Sequence, residues 1–202
     1  MRDSRIDSEK RRIRQLVRAE RMARSLGDRQ VAAASLTEQL VALVTRLDAR
    51  SLACYLPVFG EPDTTAFLAW ARAHDIDVLL PSAREDGLLD WIRPLADGTV
   101  SGAFGIPEPL GEHLSPLAVS EVDLMLIPAC AVDQRGVRLG WGKGYFDRNL
   151  STLRRRPPVF AIVHESEFLA ELPCEAHDVP VNGVVTPERT VLFGQGDPQL
   201  NG

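Results

Sequence analysis

The chain has 202 residues, of which 45% are apolar and 25% charged, and a formal net charge of −5. This composition excludes collagen, a disordered chain and a disulfide-dense scaffold, and it leaves enough apolar mass for a core. No apolar run reaches the roughly 18 residues of a membrane span. The opening stretch, MRDSRIDSEKRRIRQL, has no apolar centre and is not a secretory signal; Asp3, Asp7 and Glu9 make it too acidic for a transit peptide. Cys54, Cys130 and Cys174 are far apart and form no CxxC, so neither a zinc site nor a disulfide framework is expected, and the compartment is read as a reduced cytoplasm. Charge is uneven: residues 1–30 hold ten Lys/Arg against five Asp/Glu, and the remainder hold 13 against 23. A basic head on an acidic body points to an anionic ligand near the N-terminus.

Residues 8–25 read as a helix with Ile13, Leu16 and Val17 on its apolar stripe and Gly27 as its end. Asp28 is the expected N-cap of a second helix running to about Leu47, with Leu36, Leu40, Leu43, Val44 and Leu47 facing inward. The period then changes. Ser51–Leu56 reads as a strand, Pro57–Asp63 as a loop, Thr64–His74 as a helix, and Ile76–Leu80 as a strand closed by Pro81. Leu88–Arg93 is a further strand, and residues 94–121, rich in Pro, Gly and Ser, read as mostly irregular. Val122–Pro128 is an apolar run of the kind found in central parallel strands. A glycine-rich loop follows, then a helix over Tyr145–Leu153, a strand over Val159–Val163, a short helix near Glu165–Glu171, and two short strands at Val184–Val185 and Thr190–Phe193.

Strands alternating with helices predict an α/β fold. We expect a single domain over residues 1–202, a mostly parallel sheet with helices on both faces in three layers, and an N-terminal basic helix within residues 1–27. Such sheets bind ligands beyond the carboxyl ends of their strands, which directs attention to the loops after Leu56, Pro81 and Pro128.

The strongest signal is the stretch from Arg135 to Arg148, RGVRLGWGKGYFDR. Gly140, Gly142 and Gly144 alternate and lead into a helix, with Lys143 between the last two and Arg138 just upstream. Glycines let backbone N–H groups approach an anion, and the helix N-terminus adds partial positive charge. The loop is neither a Walker A sequence nor the dinucleotide GxGxxG, so by itself it reads either as a phosphate cradle or as a tight connection. Asp147 could hold Mg²⁺ against a polyphosphate, or simply favour the start of its helix. Lys10 and Arg14 are four apart and share one helix face. His74, His113, His164 and His177 fall at no metal spacing and are read as structural.

Taken together, these segments resemble the 5-formyltetrahydrofolate cyclo-ligase family, also called methenyltetrahydrofolate synthetases. The likeness rests on the Arg138–Asp147 loop, the basic stretch Lys10-Arg11-Arg12-Ile13-Arg14, the glutamate-bearing loop after the first strand, Gly105-Ile-Pro-Glu-Pro109, and His177-Asp178 followed by Val181. These lie in the family's order along nearly the whole chain. The resemblance implies a small-molecule enzyme using ATP as co-substrate and Mg²⁺ to close 5-formyltetrahydrofolate into 5,10-methenyltetrahydrofolate. Membrane and nucleic-acid partners are not expected, and a monomer is.

The same resemblance places Lys10, Arg11, Arg14, Arg138, Gly140, Gly142, Lys143, Gly144, Tyr145 and Asp147 around ATP, with Lys143 and Arg138 catalytic. It places Leu56, Glu61, Phe104, Trp141 and Tyr145 at the folate, and Asp147 with Asp178 at the metal. The chain departs from the family pattern at Phe146, where a second Tyr is usual, and at Asn182, near a usual Asp. Those departures keep open a catalytically weak paralogue that binds folate or nucleotide. An RNA-binding protein using the basic helix, and a sugar-phosphate isomerase or CoA-transferase on a similar scaffold, are the other readings.

Overall fold

The computed structural model describes residues 2–58, 60–102, 107–175 and 180–194. Helix α1 spans Arg2–Ala23. Its inward face carries Lys10, Ile13, Val17 and Arg21, all buried and three or four residues apart. Leu16, expected on this stripe, is 50% exposed, because it falls a third of a turn or so to one side. Helix α2 spans Leu26–Arg46. Its N-cap is Ser25 rather than Asp28: the Ser25 hydroxyl oxygen accepts the Asp28 N–H at 3.1 Å, and Gly27 falls inside the first turn. Ser and Asp are both cap formers, but only Ser25 sits at the residue whose backbone is still extended.

Strand β1 spans Ser51–Ala53, helix α3 Thr65–Ala73 and strand β2 Asp77–Ala83. Pro81 does not close β2 but lies within it, paired opposite Trp91. The parallel partner β1 reaches only as far as Leu79, so at Pro81 one side of the strand needs no N–H. The stretch expected to be irregular forms an antiparallel pair instead, β3 over Leu89–Ser101 and β4 over Pro107–Leu114. Its prolines misled the sequence reading. Pro94 borders a register shift, and Pro107 and Pro109 lie on the edge strand, both places where a missing N–H is tolerated.

Strand β5 (Leu124–Pro128), β6 (Ala131–Asp133), β7 (Arg138–Leu139), helix α4 (Tyr145–Thr152), β8 (Val159–Ile162), β9 (Phe168–Leu169), β10 (Gly183–Val185) and β11 (Thr190–Leu192) follow. The helix expected near Glu165–Glu171 is a single 3-10 turn, Glu165–Glu167, running directly into β9. Among the described residues, eight strands form one sheet in the order β11-β10-β8-β5-β1-β2-β3-β4. Its centre, from β10 to β2, is parallel, and its edges are antiparallel.

Alternate residues of the central strands point to opposite faces. Leu124, Leu126, Phe160 and Ile162 meet Leu36, Leu40 and Leu43 of α2 and Phe67 of α3. Met125, Ile127, Ala161 and Val163 meet Leu150 of α4, Leu153 and Trp91. Helices thus cover both faces. A second sheet, β7-β6-β9, carries α1, whose Ile13 and Val17 pack on Ala131, Val137, Leu139 and Leu172. Each such fully buried aliphatic side chain contributes about 1.5–3 kcal/mol. No helix among the described residues is long and apolar enough to cross a membrane.

Candidate active site

The carboxyl end of β5 opens onto the β6–β7 hairpin and then the glycine loop. Asp133 anchors the hairpin turn, accepting the Arg135, Val137 and Leu172 N–H groups and the Arg135 guanidinium. Burial opposes the charge, yet these donors hold the Asp133 carboxyl below the usual carboxylate range. The hairpin delivers Arg138, almost fully buried, to Asp147 at the start of α4, where the two form an ion pair. Gly142 and Gly144 have φ of +97° and +68°, a region that strains any side chain, and Gly144 caps α4.

Helix α1 closes over this loop. The Arg14 Nε donates to the Gly140 carbonyl at 2.8 Å, and the guanidinium of Arg14 lies next to Gly142. The Arg18 and Arg21 guanidinium carbons lie 5.6 and 4.9 Å from the Trp141 ring centre, within cation–π range. Lys10 is buried and pairs with Glu175 at 2.6 Å. Lys143 is exposed in the loop, and its carbonyl accepts Arg148 Nη2 at 2.6 Å.

Behind Trp141 lies Glu61. It accepts the Val58 N–H at 3.2 Å and borders a cleft of about 330 Å³ with Pro57, Val58, Gly60, His164 and the Leu26–Ala33 end of α2. Burial pushes the Glu61 carboxyl up to about 7, against the Val58 N–H, Arg21 and Trp141, which lower it. Among the described residues the indole N–H of Trp141 completes no hydrogen bond, but it is close enough to draw that carboxyl down. Burial, with Arg24 and Arg21, lowers the His164 imidazole to about 4, so it is neutral at pH 7.

The raised Glu61 pKa has a testable sign. The folded protein holds this proton more tightly than the unfolded chain, so the contribution of Glu61 to stability is full below pH 4.5 and is lost as pH rises through about 7. Melting of the wild type should drop between pH 5 and 8 by more than that of Glu61→Gln. Equal drops in a pair of calorimetric scans would remove Glu61 as the cause.

The structure therefore brings together Arg14, Arg138, Gly140, Trp141, Gly142, Asp147 and, behind them, Glu61. Arg11 is not brought to the loop: it is exposed and its Nε donates to the Asp7 carbonyl. Tyr145 meets the β2–β3 turn, donating to the Arg84 carbonyl at 3.2 Å. Leu56 packs against the core beneath α2 and α3. Phe104 and Asp178 lie outside the described residues. Among the described residues no group of three or more His, Cys, Asp or Glu converges as a metal cage. Mg²⁺ needs no such cage, since one or two carboxylates with phosphate oxygens suffice, and Asp147, a partly exposed carboxylate beside the loop, fits that use.

Sequence reasoning missed Arg21, Glu167 and His164. Arg21 is fully buried and bound on two sides by Glu167, at 2.6 and 2.7 Å, with a further bond to the Ala129 carbonyl at 2.9 Å. Its spacing from Lys10, Arg14 and Val17, all on one stripe of α1, was the available signal. Glu167 and His164 form a local capping box, three residues apart, but the Arg21 that Glu167 pairs with and the Gly60 beside His164 are distant in sequence.

Comparison with known proteins decides what this arrangement belongs to. A profile of the 5-formyltetrahydrofolate cyclo-ligase family matches residues 6–187. The chain belongs to this family. Among its relatives, the 5-formyltetrahydrofolate cyclo-ligase of Mycolicibacterium smegmatis is 36% identical over 152 residues, covering 73% of this chain and 78% of the relative. That of Escherichia coli is 30% identical over 147 residues, covering 70% and 80%. The solved structure of Aquifex aeolicus 5,10-methenyltetrahydrofolate synthetase superposes with a TM-score of 0.79 at 29% identity, covering 93% of this chain and 94% of that one. The cyclo-ligase family is one of enzymes, so the clustered residues above are its candidate catalytic machinery.

Proposed function

We propose that the chain catalyses the ATP- and Mg²⁺-dependent cyclisation of 5-formyltetrahydrofolate to 5,10-methenyltetrahydrofolate, releasing ADP and phosphate. The observation that carries this reading is the docking of the basic helix onto the glycine loop through Arg14 and Gly140. It gathers cations, loop amides and the Trp141 ring on one side and the cleft bordered by Glu61 on the other, one side suited to a triphosphate and the other to a flat heterocycle.

The formyl group on N5 is an amide, and its oxygen is a poor leaving group. The γ-phosphoryl of ATP passes to that oxygen, N10 attacks the activated carbon and loses its proton, and the oxygen departs as phosphate. Little covalent work falls to the protein, which positions the reactants and stabilises charge. Lys143, Arg138, Lys10 and Arg14 surround the triphosphate, and the amides of Gly140, Gly142 and Gly144 cradle it. Asp147, with Asp178, would hold Mg²⁺, which supplies charge neutralisation on the phosphate oxygens when bound. Glu61 accepts hydrogen bonds from the substrate ring, and Trp141, Tyr145, Phe104 and Leu56 shape its pocket. In this reading the chain is one domain, with residues 1–27 completing the nucleotide site, and it acts as a cytoplasmic monomer on small molecules.

The two departures from the family pattern do not weaken the reading. Phe146 packs against the core, a role that needs no hydroxyl. The Asn182 Oδ1 accepts the Val159 N–H at 2.8 Å, at the amino end of β8 and away from the glycine loop. Asn182→Asp should accordingly leave turnover within about two-fold of wild type; a large gain in its initial rate would show instead that Asn182 limits catalysis.

The function is tested by mixing protein, 5-formyltetrahydrofolate and MgATP and following near-ultraviolet absorbance, which rises as the conjugated amidinium bridge forms. A rise that needs both ATP and Mg²⁺ supports the ligase. Binding of folate or ATP without any rise would favour the weak paralogue.

A further inference from the structure

We propose that the buried Arg21–Glu167 ion pair is a positioning element for the folate side of the site, holding Trp141 and the Gly60–Glu61 turn in place while leaving the nucleotide side alone. The inference rests on the functional reading above. Both side chains are 1% exposed, so neither touches a ligand directly. A buried ion pair is poor value as simple glue, since apolar residues of equal volume often stabilise as well or better. What this pair has that an apolar pair lacks is direction.

The bonds and contacts around the pair end on loops of the site. The Arg21 Nη2 donates to the Ala129 carbonyl, just past the carboxyl end of β5. The same guanidinium lies 4.9 Å from the Trp141 ring centre. The Glu167 Oε2 accepts the backbone N–H of His164 at 2.8 Å, and His164 lines the cleft beside Glu61. Gly60 leans on the stem of Arg21, so closely that a Cβ there would sit 3.4 Å from the Arg21 Cβ. One pair thus fixes α1, the β5 exit, the β8 exit, the Glu61 turn and Trp141 relative to one another. Arg14, two turns earlier, makes the separate contact with Gly140 that serves the nucleotide side.

The test is steady-state kinetics on Glu167→Gln and Arg21→Lys, which keep approximate size but break the two-pronged bond between the side chains. The expected result is a KM for 5-formyltetrahydrofolate raised about ten-fold, with the KM for ATP changed less than about two-fold. Trp141 emission, taken as the difference from Trp141→Phe in the same background, should move to the red. A purely structural role would instead lower the melting temperature and raise both KM values together. The double variant Arg21→Met/Glu167→Leu guards against misfolding, because it restores apolar packing without the charges. A folded variant with wild-type KM for the folate and unshifted Trp141 emission overturns the proposal. If the wild type shows no cyclisation, the functional reading falls first, and the comparison is made on quenching of Trp141 by 5-formyltetrahydrofolate. An active wild type with unchanged variants sinks the inference alone, and a wild type that neither turns over nor binds the folate overturns both.

Discussion

Replacing Lys143 by alanine should lower turnover about 10²–10³-fold, the effect of removing one charged donor aimed at a transferring phosphoryl group. The fold should be unaffected. Lys143 is exposed, and the bond its carbonyl accepts from Arg148 Nη2 survives the substitution. The melting temperature should stay within a degree or two, since surface substitutions of this kind stay within about ±0.5 kcal/mol. Initial rates at saturating ATP and folate separate this from weakened binding. An unchanged rate would take Lys143 out of the phosphate site.

Replacing Arg138 by leucine should damage both chemistry and stability. The Arg138 side chain is 3% exposed and its partner Asp147 38%, so the pair straddles the boundary between core and site. Leucine fills most of the buried volume but leaves the Asp147 carboxylate without its cation. Because Asp147 can still reach water, the loss is nearer about 1–3 kcal/mol than that of a fully enclosed pair. At roughly 2–4 °C per kcal/mol for a chain of this size, melting should fall by several degrees. Turnover should fall about 100-fold or more, because Asp147 is no longer held and the triphosphate loses a cation. A folded variant with normal rates would confine Arg138 to a structural role.

The central fold was legible in the sequence because its signals are local. The apolar runs through Leu124–Pro128 and Val159–Ile162 identify buried strands directly. The β3–β4 pair was not legible. Its prolines are permitted by their position at an edge and a bulge, and position is a property of the assembled sheet. The same contrast holds at the site. The glycine loop and its flanking charges are contiguous and stand out. Glu61, in a loop, is placed at the site only through the family resemblance, and it is burial in the folded chain, outweighing the Val58 N–H, Arg21 and Trp141, that brings its carboxyl near neutrality. The charge of the basic helix points to an anionic ligand but not to the inward face. Lys10, Arg14 and Arg21 turn inward, and the net charge of a segment says nothing about which face of a helix meets the protein.

The inward face of α1 also sets the order in which the molecule is completed. Its partners Ala129, Gly140, Glu167 and Glu175 lie 108, 126, 146 and 165 residues further along the chain from Arg21, Arg14, Arg21 and Lys10 respectively. On a ribosome this helix is made before all four of them, so these contacts wait until most of the chain has emerged. Contacts of such long sequence separation form late, after the local elements they join. A nascent or truncated chain can hold its helices and part of its sheet while both halves of the site stand open, so competence arrives in one final step of docking.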